Sequence, residues 1–171
     1  MLRFPEPADE AACRRLHGQL AADNFEFLQT DGTWEQICAI VRREHEGIDI
    51  DPGRVRSSWL IADVDGEVVG RVSIRHVLNE FLLNEGGHVG YAVGREFRRR
   101  GYATEILRLA VADLAERGVE RVLVTCDDAN VASAGVIEKL GGVLEDVRPG
   151  RHQTLKRRYW ITTTSPGSTE L

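Results

Sequence analysis

At 171 residues the chain has the length of one domain and buries roughly 70 % of its unfolded surface, so it needs no disulfide or metal staple. With 42 % hydrophobic and 29 % charged residues it is balanced like an ordinary soluble protein, and a net charge of −5 argues against a broad nucleic-acid surface. A membrane span is not expected either, because no apolar run approaches ~20 residues.

In chain order, residues 2–4 read as a short strand stopped by Pro5 and Pro7. Asp9 then caps a helix with Cys13, Leu16, His17 and Leu20 on one face, where His17 reads as a packed histidine. Thr33 and Gln36 form a capping box for a second helix, whose stripe of Trp34, Ile37, Cys38 and Val41 runs to about Glu46. Residues 48–56 are irregular around Pro52-Gly53. The period then changes to two. Residues 59–64 and 67–77 form a hairpin about Asp65-Gly66, and the arginines of the second strand, Arg71 and Arg75, are expected on a solvated face. Residues 78–86 make a loop in which Phe81, Leu82 and Leu83 either fold onto the core or wall a pocket.

Residues 88–93 form a strand, and a helix opens after Gly101 with Ala103, Ile106, Leu107, Ala110, Val111 and Leu114 on its apolar stripe. Residues 119–126 read as a central strand, 131–140 as a helix closed by Gly141-Gly142, and 143–147 and 155–162 as two last strands. The order is strand, two helices, three antiparallel strands, helix, strand, helix, two strands: an α+β sheet with one β-α-β crossover at its centre. Residues 1–162 are expected to form a single domain and 163–171 a disordered tail. Cys13, Cys38 and Cys126 form no CxxC pair and read as packed, reduced thiols. The opening MLRFPEPADE lacks the apolar core of a signal peptide, so a cytoplasmic protein without a metal is expected.

The chemistry concentrates in GHVGYAVGREFRRRGYAT, residues 87–104. A strand enters a triple-arginine turn, and a glycine follows as a helix begins. Backbone amides at such a helix start, flanked by arginines, make a phosphate site. Arg98-Arg99-Arg100-Gly101-Tyr102-Ala103 fits R/Q-x-x-G-x-G/A, and Asn130-Val131-Ala132-Ser133 with Ile137-Glu138-Lys139-Leu140-Gly141-Gly142 fits N-x-x-A/S…(Y)EKxGF. Together with the order of elements, these motifs resemble the GNAT superfamily of acyl-CoA-dependent N-acetyltransferases over nearly the whole chain.

The resemblance implies a GNAT-like mixed, largely antiparallel sheet of about seven strands with flanking helices and a central β-α-β core that binds acetyl-CoA as co-substrate. It implies that the backbone of Tyr91, Ala92 and Val93 pairs with the pantetheine arm, and that amides of Arg99, Arg100, Gly101, Tyr102, Ala103 and Thr104 surround the pyrophosphate. Arg98, and Arg99 or Arg100, would add charge-assisted bonds, with others of the three solvated. Asn130 would bond pantetheine, cap its helix, or do both. The acetyl group would pass directly from thioester to a primary amine of a small molecule or peptide. His88, Glu80 and Glu85 are the candidate bases, His88 with the best intrinsic pKa for the work, against the plainer reading of a strand histidine bonded to backbone. The tyrosine that protonates the leaving thiolate in many members is replaced by Ile137, and Ser133, one turn earlier, can donate to the sulfur instead. Glu80, Phe81 and Glu85 are candidates for the acceptor pocket, and Asp49, Asp51, Glu80 and Glu85 hint at a cationic amine. Dimers are common in such families. Two other readings are weighed. One is a non-catalytic acyl-CoA-binding or regulatory module, motivated by Ile137. The other is a nucleotide-phosphate enzyme, for which the chain lacks GxxxxGK[ST].

Overall fold

A computed structural model of the chain describes residues 1–163; residues 164–171, nearly all of the expected tail, lie outside them. The elements are β1 (Leu2–Arg3), α1 (Glu10–Ala21), α2 (Trp34–Glu46), β2 (Ser57–Val64), β3 (Glu67–Arg75), β4 (Val89–Val93), α3 (Tyr102–Glu116), β5 (Arg121–Asp127), α4 (Val131–Lys139), β6 (Val143–Pro149) and β7 (Leu155–Thr162). This is the expected order. The seven strands form one sheet, β1-β2-β3-β4-β5-β7-β6, in which every neighbouring pair is antiparallel except the central β4–β5.

Local chemistry sets the boundaries. Thr33 accepts from the Gln36 N–H and Gln36 accepts from the Thr33 N–H, closing both ends of the capping box at the start of α2. Gly47, at φ 77°, ends the helix in the left-handed conformation that glycine adopts without strain. Asp65 and Gly66, both at positive φ, turn the β2–β3 hairpin.

Helices cover both faces of the sheet. Leu16, Leu20, Ile37 and Val41 of α1 and α2 pack on Trp59 and Ile61. On the other face, Ile106, Leu107, Leu114 and Ile137 of α3 and α4 pack on Val72, Ile74, Val89 and Val124. Two sequence expectations for β3 give way to this arrangement. Ala62 pairs with Gly70 and Asp63 with Val68, which leaves Val69 as a bulge. The bulge reverses the alternation, so Val68 joins the α1–α2 core and Val69 the opposite one. Arg71, Ser73 and Arg75 also do not face solvent. Their face lies beneath the α1–α2 layer, where Arg71 and Ser73 are buried and Arg75 is partly buried. In the 78–86 loop Leu82 is buried and Phe81 and Leu83 stay exposed, so the segment both folds back and leaves apolar surface outside. No helix among the described residues is long and apolar enough to cross a membrane.

Candidate functional site

The centre of the sheet opens between β4 and β5. The two strands share a single register pair, Val89 with Val124, while β4 pairs with β3 over five positions and β5 with β7 over seven. The Arg75 N–H donates to His88 O and the Gly94 N–H to Val69 O, which fixes the direction of every peptide between them. Positions 90 and 92 turn their backbone groups to β3, and Tyr91 and Val93 turn theirs toward the gap that β5 has left. Among the described residues Val93 O meets only the Arg98 Nε, at 3.4 Å. A strand edge with unspent donors and acceptors is a rail for an extended chain.

His88 pins the vertex of this opening. Its N–H donates to Leu123 O at 2.7 Å, and its Nδ1 accepts the Leu123 N–H at 2.9 Å. The ring therefore carries its proton on Nε2, and neither nitrogen has a lone pair to spare. Burial, with Arg75 adding to it, pushes its pKa down to about 4. The base role weighed for His88 is corrected accordingly. The histidine substitutes for a backbone partner where the strands part.

The rail leads to the arginine turn. Arg99 stands at φ 61° and Gly101 at 84°, alternating with Arg98 on the other side of the map. This alternation gathers successive N–H groups into a concave nest. Gly101 caps α3 without a side-chain bond, and the first intrahelical bond is Glu105 N–H to Gly101 O. The N–H groups of Tyr102, Ala103 and Thr104 thus remain available at the positive end of the helix dipole. A Cβ on Gly101 would meet nothing within 4 Å, so it is the backbone angle and the open space ahead that require glycine, not packing. Of the three arginines, Arg98 is spoken for: its guanidinium pairs with Asp23 at 3.0 Å. Arg100 lies over the Phe97 ring at 5.9 Å, and both Arg99 and Arg100 are exposed. The turn is braced from α1, where Gln19 accepts the Arg95 N–H, Asp23 takes the Arg95 side chain, and Arg15 pairs with Glu96.

Across the gap, the Tyr91 and Ser133 hydroxyls are 2.9 Å apart. Burial pushes the phenol up to about 12, so it keeps its proton at neutral pH. Only the Tyr91 backbone was expected to matter, and its side chain was missed; a tyrosine in an apolar strand is indistinguishable from core in the sequence. Asn130 Oδ1 accepts the Ser133 N–H at 3.1 Å, so the asparagine does cap α4. Ile137 is fully buried and Cys126 is 7 % exposed, both in the core.

On the α1–α2 face, a cavity of about 140 Å³ lies where β2 starts and β3 ends; Arg54, Ser57, Ser73, Arg75, Phe81 and Leu82 help to line it. Phe81, a candidate for the acceptor pocket, lines this cavity. Glu85 does not, because it accepts the Arg151 N–H at 3.0 Å and pairs with that side chain. Glu80, Asp49 and Asp51 are exposed. The acidic pocket for a cationic amine is therefore not what folding assembles; the side chains brought to the cavity include two arginines.

A gap beside a central strand that ends in an amide nest defines a protein built to hold an extended, phosphate-ended ligand. Comparison with known proteins agrees. A family model described as Acetyltransferase (GNAT) domain matches residues 1–143, and the chain belongs to this family. A relative from Bacillus subtilis (strain 168), the uncharacterized N-acetyltransferase YjdG, is 28 % identical over 109 residues, which span 63 % of this chain and 60 % of that relative. Among solved structures, YncA of Salmonella typhimurium, a putative acetyltransferase with its cofactor acetyl-CoA, superposes with a TM-score of 0.68 at 15 % identity over 99 % of this chain and 97 % of that one. RimL, a ribosomal L7/L12 α-N-protein acetyltransferase, gives 0.69 at 16 % identity over 95 % and 89 %. At these identities the structural matches establish the fold: the seven-stranded mixed sheet with flanking helices that the sequence led us to expect.

Proposed function

We propose that this protein, through one domain spanning residues 1–162, transfers an acetyl group from acetyl-CoA directly to a primary amine of a small molecule or peptide. The observation that carries the reading is the continuity of the unspent edge of β4, at Tyr91 and Val93, with the open amide nest at residues 99–104. That run suits a pantetheine arm followed by a pyrophosphate. Support for the cofactor comes from YncA, described with acetyl-CoA, and from RimL, described in complex with CoA. Support for a peptide acceptor comes from the RimL description alone. A cytoplasmic setting and a homodimer belong to the same reading.

In this mechanism the chain's residues position and polarise. The amides of Arg99–Thr104 and the side chains of Arg99 and Arg100 hold the pyrophosphate, while Arg98 holds the turn through Asp23. The Tyr91 and Val93 peptides align the pantetheine arm, and an amide in the gap faces the charge that grows on the thioester oxygen. With the phenol as donor in the Tyr91–Ser133 bond, the serine proton is free for the departing sulfur. This hydroxyl pair stands in for the tyrosine that Ile137 displaces. An alkyl amine pays about 4 kcal/mol to be neutral at pH 7, and neither His88 nor Glu85 is free to help, so its proton leaves to water.

Thiol release from acetyl-CoA across a panel of small amines and peptide N-termini, with calorimetric titration of CoA, tests the reading. Micromolar CoA binding with release on at least one amine is expected. Binding without release on any amine would leave a cofactor-binding module in its place.

A further inference from the structure

The cavity where β2 starts and β3 ends is lined by a cation with no anion. Arg75 lines it, partly buried, and among the described residues its guanidinium makes one hydrogen bond, from Nη1 to Gly86 O at 3.2 Å. No carboxylate pairs with it among the described residues. The other arginine of the cavity is neutralised: Arg54 bonds Glu44 at 2.5 and 2.9 Å, and Glu44 also accepts from the Ser57 hydroxyl. The lining therefore keeps one net positive charge. A guanidinium held in protein without a counter-charge is costly, and such groups are normally paired. Burial pulls Arg75 down to about 10, with the charge of Arg54 adding to the effect, and it remains protonated at pH 7.

The surroundings match an anion of modest size. Ser57 and Ser73 flank Arg75 on the same sheet face: Ser57 is its partner in the β2–β3 register, and Ser73 lies two residues back along β3. An adjoining crevice, which shares Gln29 and Arg54 with the cavity, is lined by Trp59, whose buried Nε1–H has no hydrogen-bond partner among the described residues. The volume of about 140 Å³ is small beside the roughly 300–1,000 Å³ of a drug-sized pocket. Gly90 sets the distance to the reaction. A Cβ there would stand 3.1 Å from Arg75 Nη1, so the guanidinium rests against β4 one residue before Tyr91, whose backbone faces the gap. An anion on Arg75 and an amine attacking in the gap are then separated by about one residue of strand, roughly 3.3–3.4 Å along its axis plus the sheet's thickness. One small molecule that carries an amine and a carboxylate a few bonds apart spans that separation.

We propose that the acceptor is a small amino acid, and that Arg75 binds its carboxylate while its amine is acetylated. The proposal rests on the acetyltransferase reading above, and the experiment separates the two. Amino acids are offered with acetyl-CoA alongside their carboxamides, to the unaltered protein and to Arg75→Met and Arg75→Lys. For the unaltered protein kcat/KM is at least tenfold higher on the acid than on its amide. Arg75→Met abolishes that preference without changing KM for acetyl-CoA, and Arg75→Lys retains part of it. Equal losses on acid and amide, or a preference for the amide, overturn the proposal. Calorimetric titration of the same acids and amides into CoA-saturated protein reads the subsite without catalysis. Acids binding at least tenfold tighter than amides, lost in Arg75→Met, with no turnover of any amine, would uphold the subsite and sink the transfer reading. Turnover and binding that ignore the carboxylate would do the reverse.

Discussion

Tyr91 contributes a backbone to one task and a side chain to another. Its peptide lies on the open edge of β4, while its phenol bonds Ser133. Removing either hydroxyl should therefore slow the chemistry and spare the cofactor. Steady-state kinetics are expected to show kcat lowered roughly tenfold in Tyr91→Phe and roughly ten- to a hundredfold in Ser133→Ala, with CoA affinity changed little in titration. Equal losses of kcat and CoA affinity in Ser133→Ala would make the serine a pantetheine contact and nothing more. His88 offers a contrasting case. Its ring acts as an acceptor for the Leu123 N–H, so His88→Asn, whose Oδ1 can take that bond, should keep activity near the parent level. His88→Ala strands the amide and is expected to lower stability by about 1–3 kcal/mol in urea unfolding.

Among the elements, the start of α3 and the loop between α1 and α2 carry the most weight for function. Gly101 stands at φ 84° with open space before it. Gly101→Ala costs about 1 kcal/mol of backbone strain and places a methyl where the ligand's oxygens approach. Titration calorimetry should find CoA bound at least tenfold more weakly while the melting temperature moves by only a few degrees. Arg71 helps to hold the α1–α2 loop. Arg71 donates to Glu26 O at 2.7 Å, Phe27 O at 3.1 Å and Gly90 O at 3.1 Å, and covers the Phe25 ring. It links the loop over the acceptor face to the strand along which the cofactor would run. Arg71→Met should loosen residues 24–30 in hydrogen exchange and raise KM for the acceptor more than KM for acetyl-CoA. A uniform rise in both would show that the loop does not shape the acceptor pocket.

For the molecule as a whole, the buried His88 and the half-buried His76 shape the response to acid. Burial lowers both His76 and His88 from 6.5 to about 4, with Arg117 adding to the effect at His76 and Arg75 at His88. The unfolded chain takes up these protons near pH 6.5 and the folded chain only near 4. Between those values the unfolded state binds more protons, so stability is full above about 6.5 and falls as pH drops through the window. Chemical denaturation at pH 7, 6, 5 and 4 should show this decline, and His88→Asn should make it shallower. A profile flat down to pH 4, in parent and variant alike, would contradict the neutral state of these rings.

How much of this was legible differs by feature, for physical reasons. The element order could be read because α1, α2 and α3 carry apolar stripes at helical spacing and β5 a continuous apolar run, while the Thr33–Gln36 box and the Asp65-Gly66 turn are local chemistry. The amide nest was visible too, since a glycine after three arginines acts through its own backbone. What the sequence alone determined was thus the fold and the open amides at the start of α3, both of which depend on neighbours in the chain. The other face was decided only by tertiary structure. Arg71 and Arg75 looked solvated because nothing in the alternation of β3 reveals that a loop 45 residues upstream will cover it. The acids of the 49–85 region looked like a pocket, but Glu85 found Arg151, 66 residues away, and the others stayed outside. Where a charge comes to rest depends on which distant carboxylate it meets, and the Arg75 guanidinium meets none among the described residues.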